Sequence, residues 1–201
     1  MADLTTDGPL LRAQRQIQAR LRAFFPEAQF AHAVVPANLS PRGWDALTRR
    51  TPFVGLGWRG LRPDAQNGRL LRGSAQWTVF LIARNLGAPA ARLEGDRLGP
   101  GLLGMVQVAA LALHGFTILG PEPARTAVGT VLVEEVAHLQ ADHWQDEAAA
   151  VAGLNLSLGC ALADPAELDD FLRLGAAWHF DGDAAAAPPR ADDSYDMRSS
   201  A

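Results

Sequence analysis

Hydrophobic positions along this chain recur at two periods, and the two periods alternate in blocks. Behind Pro9, the residues Leu10, Ile17, Leu21, Phe24 and Phe25 fall on one face at helical spacing, opposite Arg12, Arg15, Gln16, Arg20 and Arg22, and Pro26 ends the run. Residues 30–35 form a short strand pattern closed by Pro36. Ser40-Pro41 then combines a capping residue with a first-turn proline and opens a helix of about two turns through Leu47. Residues 53–58 read as a strand with glycine at alternate positions, Gly55 and Gly57. A face left bare in this way predicts close approach of another backbone, or a bulge. The polar stretch 59–73 joins this strand to a second at 77–84, so the pair reads as a hairpin with a long, arginine-bearing loop.

In 77–84 both faces are apolar, with Trp77, Val79 and Leu81 on one and Phe80 and Ile82 on the other, which predicts a central strand covered on both sides. An apolar helix follows at 102–114. Two long strands, 128–139 and 148–162, flank a polar turn at 142–147. The last strand alternates cleanly: Leu154, Leu156, Leu158, Cys160 and Leu162 point one way, and Gly153, Asn155, Ser157, Gly159 and Ala161 the other. Asp164-Pro165 repeats the cap-plus-proline signature ahead of Leu168, Phe171, Leu172 and Leu174. After Phe180 the composition turns polar and Ala/Pro-rich, too poor in apolar residues to fold alone. The expected fold is α/β (α+β): one domain over residues 1–180 with a mixed, mostly antiparallel sheet covered by helices. A flexible acidic tail is expected at 181–201. No repeat of solenoid length is present.

Composition narrows the class. A chain of 201 residues with 48% hydrophobic and 20% charged residues can bury one sizeable core. A net charge of −4 argues against a surface given over to nucleic acid, although it allows a local basic patch. All 18 basic residues are arginine, whose planar fork suits persistent interfacial pairs. The single cysteine, Cys160, lies in an apolar strand and reads as a small buried thiol rather than a nucleophile. The N-terminal residues lack the basic-then-apolar order of a signal peptide, and the apolar stretch near 102–119 is interrupted by glycine, Gln107 and His114. The expectation is a cytosolic protein without membrane contact.

Gly99-Pro100-Gly101-Leu102-Leu103-Gly104 matches a dinucleotide-binding string, but a charged loop, 92–98, precedes it where an apolar strand is required. Glu135 and His138 have the spacing of a di-iron helix pair, yet a β-branched context predicts a strand that sends them to opposite faces. His138, Asp142 and His143 read as a polar turn, since spacing gives no convergence of three ligands. No Ser or Cys stands in a nucleophile elbow. The reading is therefore a non-enzyme with no catalytic residue, metal or cofactor. The most suggestive polar feature is the loop carrying Arg59, Arg62, Arg69 and Arg72, flanked by Trp58 and Trp77. It reads either as a solvated hairpin loop or as a surface where arginine forks meet carboxylates or passing DNA.

Taken in order, the amphipathic helix, the strand, the short helix, Thr51-Pro52-Phe53-Val54, the long loop leading to Trp77-Thr78-Val79-Phe80, the 101–115 helix and the two long strands carry a likeness. Over residues 9–162 this layout resembles the tail terminator proteins of tailed bacteriophages, particularly those of Mu-like phages. The resemblance implies a virion structural protein acting as a homo-oligomer, usually a hexameric ring, at the head-proximal end of the tail tube. There it ends tube polymerisation and joins tail to neck. Its implied partners are the tail tube protein, a neck or head-completion protein, and the sheath if the tail contracts, with DNA only passing through the lumen. Its implied locations are the virion and, during assembly, the host cytoplasm. It carries over no active-site residue. Two other classes stay open: another phage neck or tail-completion adaptor, and a small-molecule-binding α/β domain using the 99–104 helix start.

Overall fold

The N-terminal helix α1 (Pro9–Phe24) starts where the sequence places it, with proline in its first turn, and it buries Ala13, Ile17 and Leu21. The Phe25 N–H caps it on the Leu21 carbonyl. Two half-buried residues from its polar face bond to neighbouring elements. Gln16 clamps the backbone of Leu119, donating to its carbonyl at 2.7 Å and accepting from its N–H at 3.0 Å. Arg20 donates to the Ala112 carbonyl at 3.1 Å and lies over the rings of Phe24 and Phe116.

After α1 come β1 (Ala31–Val34), α2 (Pro41–Thr48), β2 (Phe53–Pro63), β3 (Arg72–Arg84), α3 (Pro89–Glu94), β4 (Gly95–Asp96), β5 (Gly99–Pro100), α4 (Leu102–Leu113), β6 (Thr117–Leu119), β7 (Ala127–Leu139) and β8 (Ala149–Ala161). The computed structural model describes residues 8–36, 41–67, 71–86, 89–97, 99–121, 127–139 and 148–162, all within the unit Ala2–Leu162. Ser40, Arg69, the turn at 142–147 with Asp142 and His143, the helix expected after Asp164-Pro165 and the tail 181–201 lie outside the described residues.

Six strands form one sheet in the order β1-β2-β3-β8-β7-β6, and a separate two-stranded ribbon pairs β4 with β5. Only β1–β2 is parallel; every other pairing is antiparallel. The expected mixed, mostly antiparallel sheet covered by helices is therefore present. As the two apolar faces of its sequence required, β3 sits at the centre between β2 and β8.

The main core lies between the sheet and the pair α1 and α4. It gathers Ile17 and Leu21 from α1, Met105, Ala109 and Leu113 from α4, and the inward residues Trp77, Val79, Leu81, Leu154, Leu156 and Leu158. Fully burying one such aliphatic side chain contributes about 1.5–3 kcal/mol. On the other sheet face, toward the N-terminal end of β2, Trp44 and Leu47 of α2 pack on a smaller cluster of Val35, Phe53, Ile82 and Val151. Trp44 meets Phe80 edge to face at 5.2 Å.

Gly55 and Gly57 serve the close approach that their spacing predicts. A Cβ on Gly55 would stand 2.5 Å from Val35 Cγ2, and one on Gly57 3.1 Å from the Val35 carbonyl oxygen. The approaching chain is the segment leaving β1. Three elements depart from the sequence reading. The charged loop expected at 92–98 is instead α3 followed by the β4–β5 ribbon, with Gly95 at φ +83° making the corner. Pro89 and the two alanines after it favour that helix despite its polar surroundings. The short β6 was not separable from the apolar run before it. Of the loop expected at 59–73, residues 59–63 and 72–73 are strand.

Candidate functional site

The β2–β3 hairpin stays paired out to Pro63 opposite Gly73, so Arg59 and Arg62 stand on β2 and Arg72 opens β3. The sequence reading shortened both strands because polar residues and glycines displace the apolar alternation. Pairing persists because the backbone ladder is indifferent to side-chain polarity at a sheet margin. Hydrogen bonds brace the described end of the arm. Asn67 donates to the Asp64 carbonyl at 2.9 Å and accepts from the Arg72 N–H at 2.8 Å, while the Asp64 N–H donates to the Arg72 carbonyl at 3.0 Å. The Leu162 N–H reaches the Leu71 carbonyl at 2.9 Å and ties the end of β8 to the arm.

At the base of the arm Trp58 lies opposite Trp77, with ring centroids 5.0 Å apart and planes at 68°. Trp77 is 1% exposed and belongs to the core, whereas Trp58 is half-buried. The next residue, Arg59, is an extra residue in β2: Trp58 faces Trp77 and Gly60 faces Gln76, so a bulge lifts Arg59 out of the ladder. Arg59, Arg62 and Arg72 are exposed, and among the described residues none has an ion-pair partner. They form a basic strip on a rigid two-stranded support. On the core side of the same arm, Cys160 lies opposite Gly73. Burial is the main cause raising its thiol pKa, Asp64 adds to it, and a backbone hydrogen bond with Ala75 opposes.

A second bulge, which sequence reasoning missed, stands across the sheet. Val133 faces Leu156 and Glu135 faces Asn155, so Glu134 is an extra residue in β7. The signal was two successive acids where strict alternation allows one outward position. Glu135 and His138 point to opposite faces, as the strand reading required. Glu135 accepts from Asn155 Nδ2 at 2.8 Å, and Asn155 Oδ1 accepts from the Thr78 hydroxyl at 2.9 Å, which makes a polar relay over three strands. Among the described residues no group of three or more His, Cys, Asp or Glu is placed to hold a metal ion. No helix among them is long and apolar enough to cross a membrane.

The glycine string divides. Gly101 precedes α4 against the α3–β4 corner, where a Cβ would collide with the Gly95 backbone, whereas Cβ atoms on Gly99 and Gly104 would meet nothing within 4 Å.

No family model and no curated protein matches the chain. Among solved structures, the chain is similar to one chain of the virion of a native gene transfer agent (GTA) particle, with 14% sequence identity and a TM-score of 0.46, covering 80% of this chain and 99% of that one.

Proposed function

We propose that this protein is the ring-forming terminator of a phage-like tail, ending tube polymerisation and joining tail to neck. The reading is carried by the order of elements over residues 9–162, in which α1, β1, α2, the long β2–β3 arm, α4 and the β7–β8 pair follow the layout of the tail terminators. The charge distribution supports it as well. A strip of exposed arginines with no ion-pair partner among the described residues is suited to meeting carboxylates of another chain, because guanidinium forks bind them in fixed geometry. Arg59, Arg62 and Arg72 are the residues assigned to such a contact.

The reading is tested by native mass and by tube capping. Mass photometry across a concentration series, with and without purified tail tubes, is expected to show a closed species near 128 kDa, six times the 21.4 kDa of one chain. Tubes capped by the protein should stop growing at that end. A chain that stays single at every concentration and leaves tube growth unchanged would overturn the assignment. A ring that binds connector but ignores tubes would move it to a neck adaptor.

A further inference from the structure

Several strand edges of the six-stranded sheet have no strand partner among the described residues, and two of them end the same rows. One is the outer edge of β1. Ala31 and Val35 donate inward, to the carbonyls of Pro52 and Leu56, so the alternation turns the backbone groups of His32 and Val34 outward. The other edge is the stretch 134–139 of β7. β6 covers β7 only from Ala127 to Thr130, and the turn after α4 reaches no further than Val133, whose N–H donates to His114 Nδ1. Open edges of this kind accept strands from other chains.

The registers place both edges on the same rows of the sheet. Ala31 and Leu139 end one row, and Val34 and Val136 end the row three residues further on. β1 and β7 run in opposite directions. A second copy moved sideways, with no shift along the strands, therefore brings its β1 antiparallel to β7. Val136 then stands opposite Val34, Ala137 opposite Ala33, His138 opposite His32 and Leu139 opposite Ala31. Val34 is 55% exposed and Val136 44% exposed, and both lie on the sheet face that carries α1 and α4. A sideways step that rotates each copy by a whole fraction of a turn, without rise, closes into a ring, whereas one with rise climbs into a filament.

Charge selects the same pairing. The two bulges flank one row, Trp58–Trp77–Leu156–Val133, so Arg59 of one copy and Glu134 of the next stand at the same level of the seam. Bulges and charges on edges ordinarily prevent strand addition. Here Arg59 stands on β2 just past the end of β1, so the acidic β7 edge faces an arginine across this seam, whereas two β7 edges would repel through Glu134 and Glu135.

We propose that the open edge of β7 in one copy of this chain pairs with β1 of the next, in the Val136–Val34 register, and continues the sheet across subunits. This rests on the ring reading above and names its seam.

The test is a cysteine pair, Val34→Cys with Val136→Cys, in a Cys160→Ala background of the full chain, oxidised and run on a non-reducing gel. A ladder of covalent multimers rising to the ring size is expected, with each single-cysteine variant giving no ladder. Equal behaviour of double and single variants overturns the seam. If the parent chain still gives the ring mass, only the seam falls; if it stays single alone and on tail tubes, the ring reading falls as well. Val34→Pro, which removes an outward N–H and no ladder bond, is expected to abolish the multimer while circular dichroism is unchanged. An unchanged native mass would overturn the seam independently.

Discussion

Trp58 packs edge to face against Trp77 across the β2–β3 pair, 5.0 Å between centroids, one residue before the bulge that lifts Arg59 from the ladder. The pair anchors the basic arm to the core, since Trp77 is 1% exposed while Trp58 reaches the surface. Trp77→Ala is expected to lower unfolding free energy by about 3–5 kcal/mol, with a smaller loss for Trp58→Ala. A double-mutant cycle by urea denaturation should give a coupling of about 0.5–1.5 kcal/mol, the range for an aromatic pair beyond its burial. The Trp77 indole N–H is buried with no acceptor among the described residues. Trp77→Phe should therefore cost clearly less than Trp77→Ala, and equal costs would refute this account.

The arginine strip should separate assembly from folding. Arg59, Arg62 and Arg72 are exposed and hold no ion pair among the described residues, so their joint replacement by Ala is expected to change stability by only about 0.5 kcal/mol per site. Loss of three guanidinium contacts should nevertheless raise the midpoint concentration of assembly about tenfold or more. Sedimentation velocity over a dilution series reads this directly, and an unshifted midpoint would remove the strip from the interface.

The chain shows well where local pattern reaches and where it stops. The helix behind Pro9, the central strand around Trp77 and the alternating Leu154–Leu158 strand were legible because each buries a face at its own period. The outer halves of β2 and β3 were not legible, since Arg59, Gly60 and Arg62 carry no apolar alternation and only the ladder to residues 73–76 makes them strand. The acids of β7 were missed for a related reason. Glu134 and Glu135 matter only through their position opposite Asn155 and on an open edge, and that position is a property of register rather than of local sequence.

The Thr78–Asn155–Glu135 relay is a second stability determinant, on the sheet face opposite α1 and α4. Thr78 is 8% exposed and spends its hydroxyl hydrogen on Asn155. Asn155→Ala strands that hydroxyl and also releases Glu135, so a loss of about 1–3 kcal/mol is expected. Thr78→Val removes donor and hydroxyl together and should cost nearer to 1 kcal/mol, roughly the net worth of one hydrogen bond. Thermal denaturation of the two variants orders them, and a costlier Thr78→Val would contradict the relay.

Cys160 links the arm to pH. Burial is the chief cause holding its thiol above the ordinary range, with Asp64 adding to it. Below the unfolded thiol pKa, about 8.5, both states are protonated and the full stability is present. As pH rises further, the unfolded chain loses this proton first, so this group's contribution falls until the folded pKa is passed. Urea midpoints should therefore decline faster above pH 8.5 in the parent chain than in Cys160→Ala, and native Cys160 should react slowly with a disulfide reagent until unfolded.

The glycine string at 99–104 distinguishes a packing role from a nucleotide site. Gly101 has no room for a side chain, because its Cβ would overlap the backbone of Gly95 and Glu94, so Gly101→Ala must push α4 away from the α3–β4 corner. Overpacking of this kind costs about 1–3 kcal/mol or more when the obstacle is backbone. Gly104 lies within α4 on its exposed side with open space around it, so Gly104→Ala is expected to stabilise by about 0.5–1 kcal/mol through helix propensity. Gly99→Ala should be close to neutral. A nucleotide cradle would need all three positions bare, so that a phosphate could approach the backbone. Denaturant titrations of the three variants, run beside assembly assays, decide between the two. Gly99→Ala and Gly104→Ala variants that fold and assemble normally support packing, whereas loss of a ligand-dependent rise in melting temperature in either would establish the cradle.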